Sequence, residues 1–547
     1  MKKIRSLIIF LTFLFTAFSC DQEDFFELKR PNENPWLSVA ELEMGVYQVY
    51  YYYSPGPWYS ALGTLGLKDF AESDVSQLLP GISGDNYAIE YYNRKYNSIM
   101  PAKEIEWSFE YLYLQLTSAN APLKFILDAE EKGEDPFTEM TQEDRNRVTQ
   151  LKGELLFLRA LAHWYLARLY APPFDPTETS DNNDKECFVL RTTFETNADE
   201  LKNSTLATVR EVYASIQKDF EDAKALLPET YLTNEISSRT RANRYVAAGM
   251  LARVYFITGQ HSKAKAECDY LLSGPFSLDD DPIESFNRNG GQGSSSEMIW
   301  EYAYHSSSHP TDRIPTIFGK NNYNAKNGGR GSSFSRCSWA NLTMGYNMLK
   351  EIGWMADGKN GDYTILPDAL NDKRYNQLYF KLEGYKAIPG GLTTAQQNAH
   401  KNTYETVQPG ITTPQVWLDK HFRATDGRRS TRAMLRLAEF YLTRSIIRFN
   451  EGNVNGAADD LNAVRRRAGL TDIAAANLTA DDIHNERVKE LSGEHGDRTY
   501  YLISLRLPIG IGDRDPGQFS PVEPPYSDYY WQVPLIEQQL NQAYGVE

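Results

Sequence analysis

The sequence predicts a mainly α-helical fold: a scaffold of paired helices with large, irregular, loop-rich insertions and few short strands. Three observations carry this. Apolar residues recur at helical spacing over much of the first half of the chain and again after residue 433. Two stretches share one layout: a helix rich in Ala and aromatics, a Gly-centred turn, and a second helix with alanines a few positions in. Between the helices lie segments far longer than ordinary loops, and loops beyond about fifteen residues are uncommon in compact domains.

Each element has its own signal. Residues 104–132 form the first long helix, ending at Gly133. Residues 150–170 form the second, closed by Pro172 and Pro173. The third is capped by Thr208 and stopped by Pro228. Residues 244–272 are a helix pair broken at Gly259, and residues 435–469 a pair broken at Gly452. Both resemble tetratricopeptide units, in which small residues let paired helices approach closely. A last helix covers 480–502. Residues 297–304, alternating around Trp300, are the best strand candidate. The stretches 81–101, 274–338, 353–422 and 507–533 are irregular, yet hold too many rings to be linkers. Trp164 and Trp300 sit in regular elements and are read as core.

Composition narrows the function. Lys+Arg is 57 against Asp+Glu 73, a net charge of −16, which argues against nucleic-acid binding because phosphate neutralisation needs clustered cations. Tyrosine supplies 35 of 547 residues. Such an excess means either a tyrosine-using core or rings displayed at a binding surface.

The N-terminus sets the compartment. Lys2, Lys3 and Arg5 precede the apolar run "SLIIFLTFLF" and the exit "TAFSC", the pattern of a secretory signal. The run is too short to span a bilayer, which needs roughly 20 residues. "AFSC" resembles a bacterial lipobox, which makes Cys20 the expected lipidation site. The acidic Asp21–Asp24 stretch is similar to the surface-export signal of some lipoproteins. Residues 1–19 are therefore the expected signal peptide and 20–34 a lipidated tether. The expected location is the outer membrane, lipid-anchored and facing the exterior, with membrane contact through the N-terminal lipid only. Cys187, Cys268 and Cys337 are far apart, without CxxC spacing, and imply no disulfide framework.

No catalytic motif stands out. GxSxG, Walker and HExxH patterns are absent. His305 and His309 flank a Ser-rich loop, and Pro310 argues against the helix that metal binding at that spacing would need. His495 beside Glu494 reads as a helix-end polar cluster. Arg465–Arg467 point to different faces of a helix, so at least one should pair with a buried acid.

Seven motifs, in order, resemble the SusD/RagB family of surface lipoproteins. They are "GELLFLRALAHWYLARLY" (153–170), "VYASIQKDFEDAKALLP" (212–228), "RANRYVAAGMLARVYFITGQHSKA" (241–264), "LRLAEFYL" (435–442), "LNAVRRRAGL" (461–470), "ERVKELSGEHGDRTYYLISLR" (486–506) and "VPLIEQQLNQAYG" (533–545). His495, Tyr501 and Ser504 depart from the family pattern at scaffold positions. The motif charges have a structural explanation, pairing along or between helices. The resemblance implies tetratricopeptide-like helix pairs under a variable, loop-rich half that binds ligand and caps a SusC-like TonB-dependent outer-membrane transporter. Residues 35–547 are then one body, with helices at about 35–273 and 433–506 and a variable ligand-binding region at about 274–432.

Sugar rings offer an apolar C–H face and a hydroxyl rim, which call for aromatic platforms beside amides, carboxylates and guanidiniums. Two stretches mix these residue types. Residues 84–98 hold Tyr87, Tyr91, Tyr92, Asn93, Arg94 and Tyr96; residues 318–342 hold Tyr323, Asn324, Arg330, Trp339 and Asn341. A third cluster, 47–60, lies on the first family-like helix and its exit. The expected function is non-enzymatic binding of oligosaccharide or polysaccharide through aromatic platforms and delivery to the transporter. Peptide binding within the same family and, remotely, a surface glycoside hydrolase are the alternatives. No cofactor or metal is expected, and a structural cation is left open.

Overall fold

Most of the long scaffold helices pack on their neighbours in sequence. The computed structural model describes residues 36–53, 61–78, 87–96, 103–177, 181–195, 204–230, 239–286, 295–302, 323–324, 329–330, 342–358, 363–382, 415–418, 420 and 432–544. Its first helices are α1 (Val39–Tyr53), α2 (Ala61–Glu72), α3 (Tyr87–Tyr92), α4 (Lys103–Lys132), α5 (Gln142–Tyr170), α6 (Val209–Leu226), α7 (Arg244–Ile257) and α8 (His261–Leu272). Three short helices follow: α9 (Tyr346–Glu351), α10 (Pro367–Asn371) and α11 (Lys373–Gln377). The last are α12 (Leu437–Asn450), α13 (Val454–Arg467), α14 (Ala480–Leu491), α15 (Asp497–Ser504) and α16 (Leu535–Leu540).

α1 lies on α4 and α5, and α4 through α8 then pack one on the next. α8 packs directly on α12, which packs on α13 and α14. The array therefore runs straight from residue 272 to residue 437, and the chain between them is an insertion that leaves and returns at one place. The antiparallel pair Met298–Tyr302 with Arg432–Arg436 joins its two ends. The expected strand at 297–304 is the first of this pair. Its partner was not foreseen, because residues 432–436 run straight into α12 and share that helix's apolar character.

The mainly helical class is as predicted, and the differences have local causes. α5 begins at Gln142, well before the expected residue 150. Its first two turns are polar and carry no apolar stripe, with Val148 their one buried residue. The start is set by a capping box, Thr141 with Asp144. The expected helix 480–502 is two helices, α14 and α15. Gly493 and Gly496 both stand at φ 75°, a left-handed conformation that breaks the helix between them. Gly496 cannot cap α15 with a side chain, so Asp69 of α2 does. Its carboxylate accepts the Thr499 N–H at 2.6 Å and the Arg498 N–H at 3.2 Å.

Thr208 caps α6 as expected. Its hydroxyl accepts the Glu211 N–H at 3.2 Å, and the Glu211 carboxylate accepts the Thr208 N–H at 2.8 Å. Thr208→Ala is expected to cost about 1 kcal/mol, read as a lower chemical-unfolding midpoint. Trp164 and Trp300 are buried, with Phe157 edge-on to Trp300 at 5.4 Å. Cys187 and Cys268 are free and buried; Cys337 lies outside the described residues.

The charged residues of the sequence motifs pair between helices. Arg159 of α5 grips Asp219 of α6 through two bonds of 2.8 Å. Arg253 of α7 grips Glu439 of α12 at 2.7 and 2.6 Å. Arg487 of α14 grips Asp497 of α15 at 2.9 and 2.6 Å. In the arginine run, Arg467 reaches Glu297 and Glu490 and Arg465 reaches Glu486, as the spacing required. No helix among the described residues is long and apolar enough to cross a membrane.

Candidate functional site

The two ring- and amide-rich stretches are rooted together. Strand Ser76–Leu78 pairs antiparallel with strand Leu342–Met344, in the register Ser76↔Met344, Gln77↔Thr343, Leu78↔Leu342. The Gly345 N–H extends the pairing by donating to the Val75 carbonyl at 2.7 Å. In an antiparallel pair the chain leaves one strand where it enters the other. Residues 79–98 therefore depart from Leu78 beside the point where residues 318–341 arrive at Leu342. Segments more than 200 residues apart share one edge.

The structure divides the first stretch. Tyr87 opens α3, and its side chain lies outside the described residues, as do Trp339 and Asn341 entirely. Tyr91 is 1% exposed, edge-on to Trp531 at 5.3 Å. Tyr96 meets Tyr529 and Trp531 edge-on at 5.2 and 5.5 Å, and its hydroxyl donates to Glu72 Oε2 at 3.1 Å. The same carboxylate binds Lys68 Nζ at 2.7 Å and accepts the Trp531 indole N–H at 2.8 Å. Lys68 Nζ lies 4.7 Å from the Tyr529 ring centroid and 5.8 Å from that of Tyr96. A buried ammonium–carboxylate pair on α2 is thus boxed by aromatic rings, and desolvation strengthens cation–π attraction. Tyr91 is buried against Trp531 and Tyr96 packs on this box, so both are tied to the scaffold.

Arg94 and Tyr92 are likewise committed to the scaffold. Arg94 stands at φ 52°, and its guanidinium donates to the carbonyls of Glu72 at 2.9 Å, Gly510 at 2.6 Å and Ser520 at 3.4 Å. Tyr92 packs under Arg514, whose guanidinium carbon is 4.1 Å from the ring centroid. Arg514 donates to the carbonyls of Tyr92, Ser73, Ile511 and Ala71. Burial, then the neighbouring Arg94 charge, pushes the Arg514 guanidinium down to about 10. Two arginines therefore tie the turn after α3 to α2 and to residues 510–520. The sequence reading placed these residues among ligand contacts because the turn is polar and aromatic. Their actual partners, Tyr529, Trp531 and Arg514, lie over 400 residues away and left no local signal.

Asn93, half-buried on that turn, remains a contact candidate. In the second stretch, Tyr323–Asn324 pairs with Gly329–Arg330 as a small antiparallel hairpin. Its register sets Tyr323 opposite Arg330 and Asn324 opposite Gly329, so a ring-bearing and a guanidinium-bearing residue are cross-strand neighbours. Among the described residues no group of three His, Cys, Asp or Glu converges as a metal site.

The helical array thus holds the described ends of both stretches at one strand pair. The chain belongs to the SusD family. A family model described as "Starch-binding associating with outer membrane" matches residues 61–256, and the SusD family model matches residues 296–500, together well over half of the chain. A SusD superfamily protein from Bacteroides thetaiotaomicron aligns with TM-score 0.68 at 18% identity, over 93% of this chain and 99% of that one. A laminarin-binding SusD-like protein aligns with TM-score 0.63 at 17% identity, over 93% and 98%. SusD-like protein P2 of Formosa agariphila is 26% identical over 141 residues, which is 26% of this chain and 24% of that relative's length.

Proposed function

We propose that the chain is a cell-surface lipoprotein, anchored at Cys20, that binds oligosaccharide or polysaccharide without turning it over. It delivers the ligand to a SusC-like TonB-dependent transporter. The observation that carries the reading is the Leu78↔Leu342 pairing, which roots both ring- and amide-rich loops at one edge. Membership of the SusD family and the fold shared with a laminarin-binding protein support the glycan as ligand class. The contacts are assigned to Tyr87, Asn93, Tyr323, Asn324, Arg330, Trp339 and Asn341, with Tyr91, Tyr92, Arg94 and Tyr96 holding the root of the first loop.

Calorimetric titration with a panel of oligosaccharides tests this. One or more should bind, and Trp339→Ala should weaken that binding roughly thirty-fold, the ~2 kcal/mol of an aromatic hot spot. The unfolding midpoint should stay unchanged. A chain that binds peptides and no glycan, or whose deletion leaves glycan uptake intact, would sink the reading.

A further inference from the structure

One turn, residues 510–514, reaches the roots of both ring- and amide-rich stretches. It follows Ile509, which is tied back to Val522 by two backbone hydrogen bonds of 3.0 and 2.9 Å. Its last two residues, Asp513 and Arg514, face different parts of the chain.

Arg514 is 4% exposed and holds the first stretch. Its guanidinium donates to the carbonyls of Ala71 and Ser73, on the approach to strand Ser76–Leu78. It also donates to the Tyr92 carbonyl at 2.7 Å, at the end of α3. One side chain therefore closes both described ends of that stretch. Arg94 adds a bond in the other direction, to the Gly510 carbonyl at 2.6 Å.

Asp513 holds the second stretch. Both of its carboxylate oxygens accept the Asn347 N–H at 3.3 Å, in the first turn of α9 and just beyond strand Leu342–Met344. The Asn347 amide donates in return to the Gly512 carbonyl at 3.1 Å. Gly345, the N-cap of α9, makes no side-chain cap bond. Asp513 takes that role from 166 residues away. The approach is so close that a Cβ on Gly345 would overlap Asp513 Oδ2.

We propose that Asp513 and Arg514 are positioning residues for glycan binding, coupling the two stretches into one site; the inference rests on the proposed function. The strand pair that roots them is three residues long, and so short a pair holds poorly alone. Ser76 stands opposite Met344, so the chain before Ser76 and the chain after Met344 lie at one end of the pair. The turn braces that end, and the two stretches meet the pair at the other. Binding groups need a supporting shell to stay in register, and ordering a loop during binding costs affinity. Two subsites held at a fixed spacing reward a ligand that spans both, and a loose spacing forfeits that gain.

The test titrates the full chain with the oligosaccharide panel, each glycan as a series from disaccharide to octasaccharide. Wild-type affinity should rise about tenfold or more from the shortest to the longest member that binds. In Asp513→Ala the rise should shrink to about threefold or less, with the shortest member bound as in wild type. Asp513→Asn keeps an oxygen that accepts the Asn347 N–H and should restore the rise. Hydrogen–deuterium exchange without ligand is the second measurement. Asp513→Ala should speed exchange in residues 71–78 as well as in 342–349, and Arg514→Lys should do the same, with unfolding midpoints close to wild type.

An equal affinity loss at every length, no loss at all, or faster exchange on one side of the turn only overturns the coupling and leaves the glycan reading standing. If Arg514→Lys does not fold, the two Asp513 variants decide by the same outcomes. A wild type that binds no member of the panel overturns both.

Discussion

Glu490→Gln is expected to lower the unfolding free energy by about 3–5 kcal/mol, the cost of leaving buried charges uncompensated. Glu490 is fully buried where the insertion meets the helical array. One carboxylate oxygen accepts from Arg436 at 3.0 Å and Arg467 at 2.5 Å, and the other from Arg374 at 3.2 Å. Around it, Arg374 also binds Asp372 and Glu486, Arg436 binds Glu297 and Glu494, and Lys420 binds Glu494 at 2.6 Å. Burial alone would raise the Glu490 carboxyl, but the charges of Arg467, Arg436 and Arg374 outweigh it and hold the group below the usual carboxylate range. Glu494, also buried, is held down at about 2 by Arg436 and Lys420.

The amide of Gln keeps the shape and removes the charge, so the loss measures electrostatics and not packing. Denaturant unfolding at neutral pH is the measurement. A change below about 1 kcal/mol, typical of an exposed ion pair, would show that solvent reaches the network. Because these folded-state pKa values are depressed, their stabilisation is present above the unfolded carboxylate pKa. It is lost as pH falls from about 4.5 towards 2.

This network marks what was legible in the sequence. The motif residues Arg436, Arg467, Glu486 and Glu490 could be read as structural, because charges this dense on apolar helices need partners. That Arg374 and Lys420 of the insertion complete the network could not be read, since neither lies in a motif or a periodic stretch. The helices were legible wherever an apolar stripe persisted. They were misjudged where it lapsed, as in the polar start of α5, or where left-handed glycines cut it, as between α14 and α15.

The candidate site was legible as two stretches of chain, and its individual roles were less so. Tyr91 stands in the sequence as a tyrosine among Asn and acidic residues, with nothing to mark it as core. What commits it to the scaffold is Trp531, which the fold brings to 5.3 Å. Local composition reports where rings are dense. Which rings a distant segment will cover depends on long-range packing, which composition does not encode. The tyrosine excess resolves in part: Tyr165, Tyr213, Tyr255, Tyr500 and Tyr501 are buried scaffold residues.

The second large effect concerns His163. It sits in the last third of α5, where residues 153–167 are buried without interruption because the neighbouring helices cover every face. Its exposure is 0%, and neither ring nitrogen has a hydrogen-bond partner among the described residues. Burial, then the charge of Arg159 one turn earlier, pushes its pKa down to about 3. The folded chain therefore keeps the imidazole neutral while the unfolded chain protonates it below pH 6.5. Stability falls as pH drops from 6.5 towards 3, at up to about 1.4 kcal/mol per pH unit from this one group.

His163→Leu, close in volume, removes both the titration and the unpartnered polar atoms. At pH 7 it is expected to raise stability by about 1–3 kcal/mol, the cost of an unsatisfied buried polar group. Between pH 6 and 4 its advantage over wild type should widen by about 2–3 kcal/mol, read from parallel denaturation curves at each pH. A variant whose pH dependence runs parallel to that of wild type would mean that His163 is already protonated or paired in the folded chain. A variant less stable at pH 7 would mean that the imidazole makes a bond worth more than its burial costs.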